Sequence, residues 1–158
     1  GDYFAWGEIS PKESYTKENS STWEVEFGDI SGNPQYDAAT ANWGSSWRVP
    51  TKSEFIELLD NCTWEWTTLN EINGMRVIGP NGNSIFLPAA GVIDGTTYQL
   101  VGLSGIYMTA TPAESCKVND CTTYCIFDYS GCTDFEYGYV GVFDGSRGGG
   151  APVRPVIE

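Results

Sequence analysis

The sequence predicts a single α+β domain. One segment carries the cap and spacing of an amphipathic helix. Several short segments alternate apolar and polar residues between Gly/Pro/Asn turns. The composition combines 19 glycines with 6 tryptophans and 9 tyrosines, a mixture typical of loop-rich folds with large aromatic anchors. Of the 158 residues, 41% are apolar and only 18% charged, so the chain is globular rather than disordered. That length suits one core, and no repeat or low-complexity run divides it, so one domain is assigned to residues 1–158.

Residues 1–32 read as loops and short strands, and Trp23-Glu24-Val25-Glu26-Phe27 alternates as a half-buried strand does. Asn33-Pro34 interrupts the chain. Tyr36 to Trp43 has helix formers and an apolar face, with Gly44 as the stop. Thr51 and Glu54 form a capping box, so a second helix starts there; Phe55, Leu58 and Leu59 share a face, Ile56 lies beside them, and the end falls near Asn61-Cys62. Strands follow at Trp64–Thr67, Met75–Ile78 and Ser84–Pro88, the last two joined by the Gly79-Pro80-Asn81-Gly82-Asn83 turn into a hairpin. Residues 101–158 read as short β segments and polar turns. Val101 and Leu103 flank Gly102 at strand spacing and are expected inside. Trp6, Trp43, Trp47, Trp64 and Trp66 are expected as core anchors, and Arg48 and Arg154 as buried, paired arginines.

The charge balance, 8 basic against 21 acidic residues for a net −13, argues against nucleic acid and anionic membrane partners, which need a basic footprint. No apolar run is long enough to insert in a bilayer. With no histidine, Ser–His and Cys–His nucleophile pairs are absent. Gly79-Pro80-Asn81-Gly82 lacks the lysine of a phosphate loop, and Gly148-Gly149-Gly150 runs into Ala-Pro-Val rather than a helix. Candidates for paired carboxylates, such as Asp128, Asp134 and Glu136, exist, but among 21 acids some neighbour each other by chance. The five cysteines are Cys62, Cys116, Cys121, Cys125 and Cys132. Their number leaves at least one thiol unpaired within the chain, their spacing does not suit zinc, and their pairing is not legible. The reading is therefore a non-enzymatic domain without cofactor or metal. Its tail holds Tyr137, Tyr139, Phe143, Asp144 and Ser146, a mixture of aromatic area and adaptable polar groups of the kind found in recognition surfaces.

Asp2-Tyr3-Phe4-Ala5-Trp6-Gly7-Glu8, Asp37-Ala38-Ala39 with Ala41-Asn42-Trp43-Gly44, Trp47-Arg48-Val49-Pro50-Thr51, Asn61-Cys62-Thr63-Trp64, Gly82 to Gly91, and Val153-Arg154-Pro155-Val156 occur in that order. Together they resemble the Fibrobacter succinogenes major paralogous domain of bacterial surface proteins, including those of gut Bacteroidetes. That resemblance implies a C-type-lectin-like fold with two helices flanking small twisted antiparallel sheets. Members often carry a further β segment before the Asp-Tyr-Phe-Ala-Trp-Gly-Glu motif. The chain is accordingly expected to be the C-terminal part of a larger protein that is secreted, cell-surface or phage-borne.

Phe135 to Arg154 also resembles the variable region of proteins diversified by a retroelement. The resemblance assigns a variable, ligand-binding region at about 104–150. Variable positions fall at Tyr139, Gly141, Phe143, Asp144, Gly145, Ser146, Gly148 and Gly149, each reachable from an AAC codon by changes at adenines, with Tyr137 added as a ligand-binding residue. Val140, Arg147, Gly150, Val153, Arg154 and Pro155 are then scaffold. Met108 departs from the family's usual tryptophan, and Lys117 and Glu136 do not fit the adenine rule. The calcium-binding triplets and Trp-Asn-Asp motif of sugar-binding C-type lectins are absent. The implied partner is a protein or a cell-surface glycan. The alternatives are an undiversified adhesin module and a degenerate enzyme of the formylglycine-generating type.

Overall fold

The computed structural model describes residues 1–128 and 139–157. It is a mixed α+β structure of small antiparallel sheets with two α-helices. Asp37 caps α1 (Ala38–Trp43) and Gly44, at φ 98°, ends it. The fully buried Asp37 carboxylate accepts from Thr40 N (3.0 Å), Gly32 N (2.8 Å) and Val49 N (2.9 Å), so one side chain ties the helix start to two flanking segments. The capping box on α2 (Lys52–Asn61) is formed: Glu54 N donates to Thr51 Oγ1 (3.3 Å) and Thr51 N to Glu54 Oε2 (2.8 Å). Phe55 is buried, whereas Ile56 faces solvent.

The largest ladder is the sheet β10 (Tyr139–Ser146), β9 (Cys121–Asp128), β8 (Ser104–Pro112), in that order. Its two faces serve two cores. Ile106, Met108 and Tyr124 join Phe4, Trp6, Ile30 and Val49 on one side; Tyr107, Cys125 and Phe127 join Phe55, Met75, Val77 and Leu87 on the other. The period-2 alternation of β-strands produces this division. Met108, 1% exposed, fills its place in the first core. A register shift between Met108 and Pro112 turns backbone groups outward to the N-terminal loops: Trp6 Nε1 donates to Thr109 O (2.9 Å) and Ile30 N to Ala110 O (3.1 Å).

Four smaller sheets surround it. Strands β3 (Thr63–Leu69), β4 (Ile72–Ile78) and β5 (Ser84–Pro88) form a meander that contains the expected hairpin. Asn70 and Glu71, both at positive φ, make its first turn. Strand β1 (Tyr3–Phe4) pairs with β11 (Ala151–Pro152), and β2 (Trp47–Arg48) with β12 (Val156–Ile157), so each end of the described chain is held by a distant segment. Strand β6 (Val92–Asp94) pairs with β7 (Thr97–Gln99).

Several expectations are corrected. Residues 23–27 are not a strand: Glu24 sits at φ 58° with its N–H on Asn119 O (3.1 Å), and Phe27 turns in to meet Trp6 and Tyr36 edge-on. Val101 and Leu103 are exposed, because residues 101–103 form a turn before β8. Of the tryptophans only Trp6 is fully buried; Trp64 and Trp66 are half-buried, and Trp43 and Trp47 are exposed. Arg48 is paired with Glu54 (2.6 Å) as expected, but only partly buried. Arg154 is exposed and makes no hydrogen bond or ion pair among the described residues. The tail is also less fragmentary than expected, since β8, β9 and β10 each run eight or nine residues.

Candidate recognition surface

Strand β10 carries six of the nine residues singled out in the tail. Eight residue pairs, from Tyr139↔Asp128 to Ser146↔Cys121, lock it to β9. Register then decides which side chains point where. Val140 and Val142 pack on the Phe127–Cys125 core. On the opposite face Phe143 is half-buried and lies over Tyr124, ring centroids 5.6 Å apart. Gly141 and Gly145 keep this second face thin: a Cβ at Gly141 would meet Tyr139 Oη at 2.3 Å, and one at Gly145 would meet the rings of Phe143 and Tyr124 at 3.1 Å.

The exposed members fall into two places. Tyr139, 41% exposed, stands at the start of the strand on the Phe143 face. Asp144 and Ser146 are exposed at its other end and on its other face. The structure therefore does not gather the predicted residues into one flat patch. It joins Asp144 instead to a neighbour the sequence did not single out, Ser115, whose hydroxyl donates to the Asp144 carboxylate. Ser115 begins the short loop closed by the Cys116–Cys121 disulfide, which displays Lys117 and the 54%-exposed Val118. The five-residue spacing of Cys116 and Cys121 was the available signal for this loop.

What holds this end in shape is Arg147, 1% exposed. Its Nε donates to Cys121 O (2.8 Å), and its Nη1 to Thr22 O (3.1 Å) and Val25 O (2.7 Å). The guanidinium lies 4.2 Å from the centre of the Trp6 ring, and its own backbone N–H donates to Asp120 O (2.9 Å). Burial lowers its pKa, a cost that the carbonyls and the ring offset. Ser146 completes the corner: its carbonyl accepts from Tyr124 Oη (2.7 Å) and its hydroxyl from Gly148 N (3.1 Å). Burial raises the Tyr124 pKa, which keeps the phenol protonated as a donor.

Gly148 is buried, and a Cβ there would lie 3.1 Å from the backbone N of Lys17. At Gly149 the nearest neighbour is Ile93 O at 3.5 Å, an ordinary contact. Tyr137, Asp134, Glu136 and Cys132 lie outside the described residues. Asp128, the one of the three candidate carboxylates within the described residues, accepts from Ser104 Oγ at 2.7 Å. Of the described thiols, Cys116 and Cys121 are bonded to each other, Cys62 is half-buried, and burial pushes the Cys125 thiol up to about 12. Comparison of the chain with known protein families, curated proteins and solved structures yields no match.

Proposed function

We propose that this is a non-enzymatic recognition domain on a C-type-lectin-like scaffold, displayed outside the cell or on a phage particle, that binds a protein or a cell-surface glycan. Its recognition surface is centred on Asp144, Ser146, Ser115 and the 116–121 loop, with Tyr139 at the far end of β10. One observation carries this reading. Exposed, adaptable polar side chains stand on a strand and a disulfide-closed loop whose backbones are pinned from below by buried Arg147. A rigid base under variable, solvent-facing side chains is the arrangement a binding surface requires, because little ordering entropy is then lost on binding. The two helices, the small antiparallel sheets and the order of the sequence motifs support the C-type-lectin-like assignment. The residues that differ among diversified copies are, in this reading, the exposed positions of β10 together with Gly141, where an added side chain meets the movable end of Tyr139.

The test is binding of the purified domain to a glycan array and to a panel of bacterial surface proteins, beside the double variant Asp144→Ala/Ser146→Ala. Saturable binding is expected, which the double variant loses while it still unfolds cooperatively, with only the modest loss of stability expected from the Ser146 Oγ–Gly148 N bond. Binding that the double variant retains in full would place the surface elsewhere, and turnover of a bound partner would make the domain an enzyme.

A further inference from the structure

A half-open cleft of about 210 Å³, with no β10 residue in its lining, lies between α2, β5 and the C-terminal segment. Leu87 and Phe55 are buried at its base, and Leu58, Ile85 and Val156 complete an almost wholly apolar lining. An apolar cavity of about 150 Å³ is enough to hold a benzene ring. This space therefore accommodates a phenyl group or a short alkyl chain with room for a polar end.

Two charged residues border the cleft, Glu54 and Arg154. Glu54 is spoken for: its two oxygens take both Arg48 nitrogens, at 2.6 and 2.7 Å, and Oε2 also accepts from Thr51 N. Arg154 has no hydrogen bond or ion pair among the described residues. The cleft thus presents an apolar interior beside one guanidinium that has no hydrogen-bond or ion-pair partner among the described residues, in a chain of net charge −13 whose cations are few. A guanidinium fork matches a carboxylate in geometry and charge. An uncharged ligand would leave that fork unused, and a cation would be repelled by it.

We propose that this cleft binds a small apolar monocarboxylate, an aryl- or alkyl-alkanoate, with the ring or chain over Leu87 and the carboxylate on Arg154. The site shares no residue with the proposed β10 surface and stands whether or not that surface binds a partner.

The test is titration of the whole chain with 3-phenylpropionate, and separately with its uncharged counterpart 3-phenylpropan-1-ol, followed by amide chemical shifts in NMR. The acid is expected to shift the amides of Phe55, Leu58, Leu87 and Val156 and to bind about tenfold more tightly than the alcohol, as one charge-assisted pair would give. Arg154→Gln should bring the two affinities together, and Ile85→Trp, which fills the rim from an exposed position, should abolish both. Absence of shifts up to about 10 mM acid, shifts mapping away from the cleft, equal affinities in the native protein, or an Arg154→Gln variant that still prefers the acid would each overturn the proposal.

Discussion

Arg147 has no carboxylate in hydrogen-bond contact among the described residues: three backbone carbonyls accept from it, the Trp6 and Phe27 rings lie beside it, and Asp120 acts on it at longer range. Those carbonyls belong to segments far apart in sequence, so the residue acts as a clamp between the N-terminal loop and β9. Replacing it with Gln should cost about 2–4 kcal/mol, from lost charged hydrogen bonds and ring contact, measured as a lower urea midpoint with an unchanged slope. The tail resemblance assigns Arg147 and Arg154 to the scaffold, and motif membership leads Arg48 and Arg154 to be expected buried and paired. Only the fold separates a clamp, an ion pair and an arginine with no partner among the described residues, because backbone carbonyl partners leave no trace in side-chain identity. The Arg48 guanidinium holds Glu54 at about 2, below the ordinary 4.5. A depressed folded-state value means that folding favours the carboxylate, so this contribution is present in full above about pH 4.5 and is lost as pH falls toward 2. Glu54→Gln should therefore lower the melting temperature at neutral pH, and its difference from the native protein should shrink toward zero near the acid end. Cys125 illustrates the opposite sign. Its burial raises the thiol, so near pH 8 alkylation should label half-buried Cys62 well before Cys125, read by peptide mass spectrometry. Equal labelling would show that the β9 face is open.

Among the elements, α1 and α2 were legible because their signals are local. A cap, a three-residue reach and a terminal glycine are all close in sequence, and both the Asp37 cap and the Thr51–Glu54 box are formed. Thr51→Ala should cost about 1 kcal/mol. The β4–β5 hairpin was legible for the same reason, through its Pro-Asn-Gly turn. Residues 23–27 alternate like a strand but fold as a loop, because alternation reports only that neighbouring side chains meet different surroundings. Here the surroundings are set by Asn119 and Arg147, about a hundred residues away in the chain, and not by a partner strand. The 116–121 loop is an element that sequence alone left open, since several cysteine pairings were available. Closing so short a loop constrains the unfolded chain by about 2 kcal/mol. Cys116→Ser/Cys121→Ser should lower stability by that amount and weaken any ligand of the Asp144 corner. A variant of unchanged stability would mean that Arg147 alone fixes the loop.

At the scale of the molecule, one three-stranded sheet between two cores fixes β10 from both faces, and the strand's remaining exposure is concentrated at its ends. The composition of the tail is what supports its proposed role as a recognition surface. The division of its exposed residues between two faces was not legible in the sequence, since it follows from the register with β9. The same register predicts which positions tolerate change. Asp144, Ser146 and Tyr139 face solvent, and Gly141 meets only the far end of the Tyr139 side chain. Gly148 faces the Lys17 backbone, which has no side chain to swing aside, and Arg147 is buried. The measurement that bears most directly on a variable surface over a fixed scaffold is deep sequencing of this locus across a population of its host. Substitutions gathered at Tyr139, Gly141, Asp144 and Ser146, with Arg147, Gly148, Val140 and Val142 constant, are the predicted result. An even spread of changes along the chain, or frequent large side chains at Gly148, would contradict it.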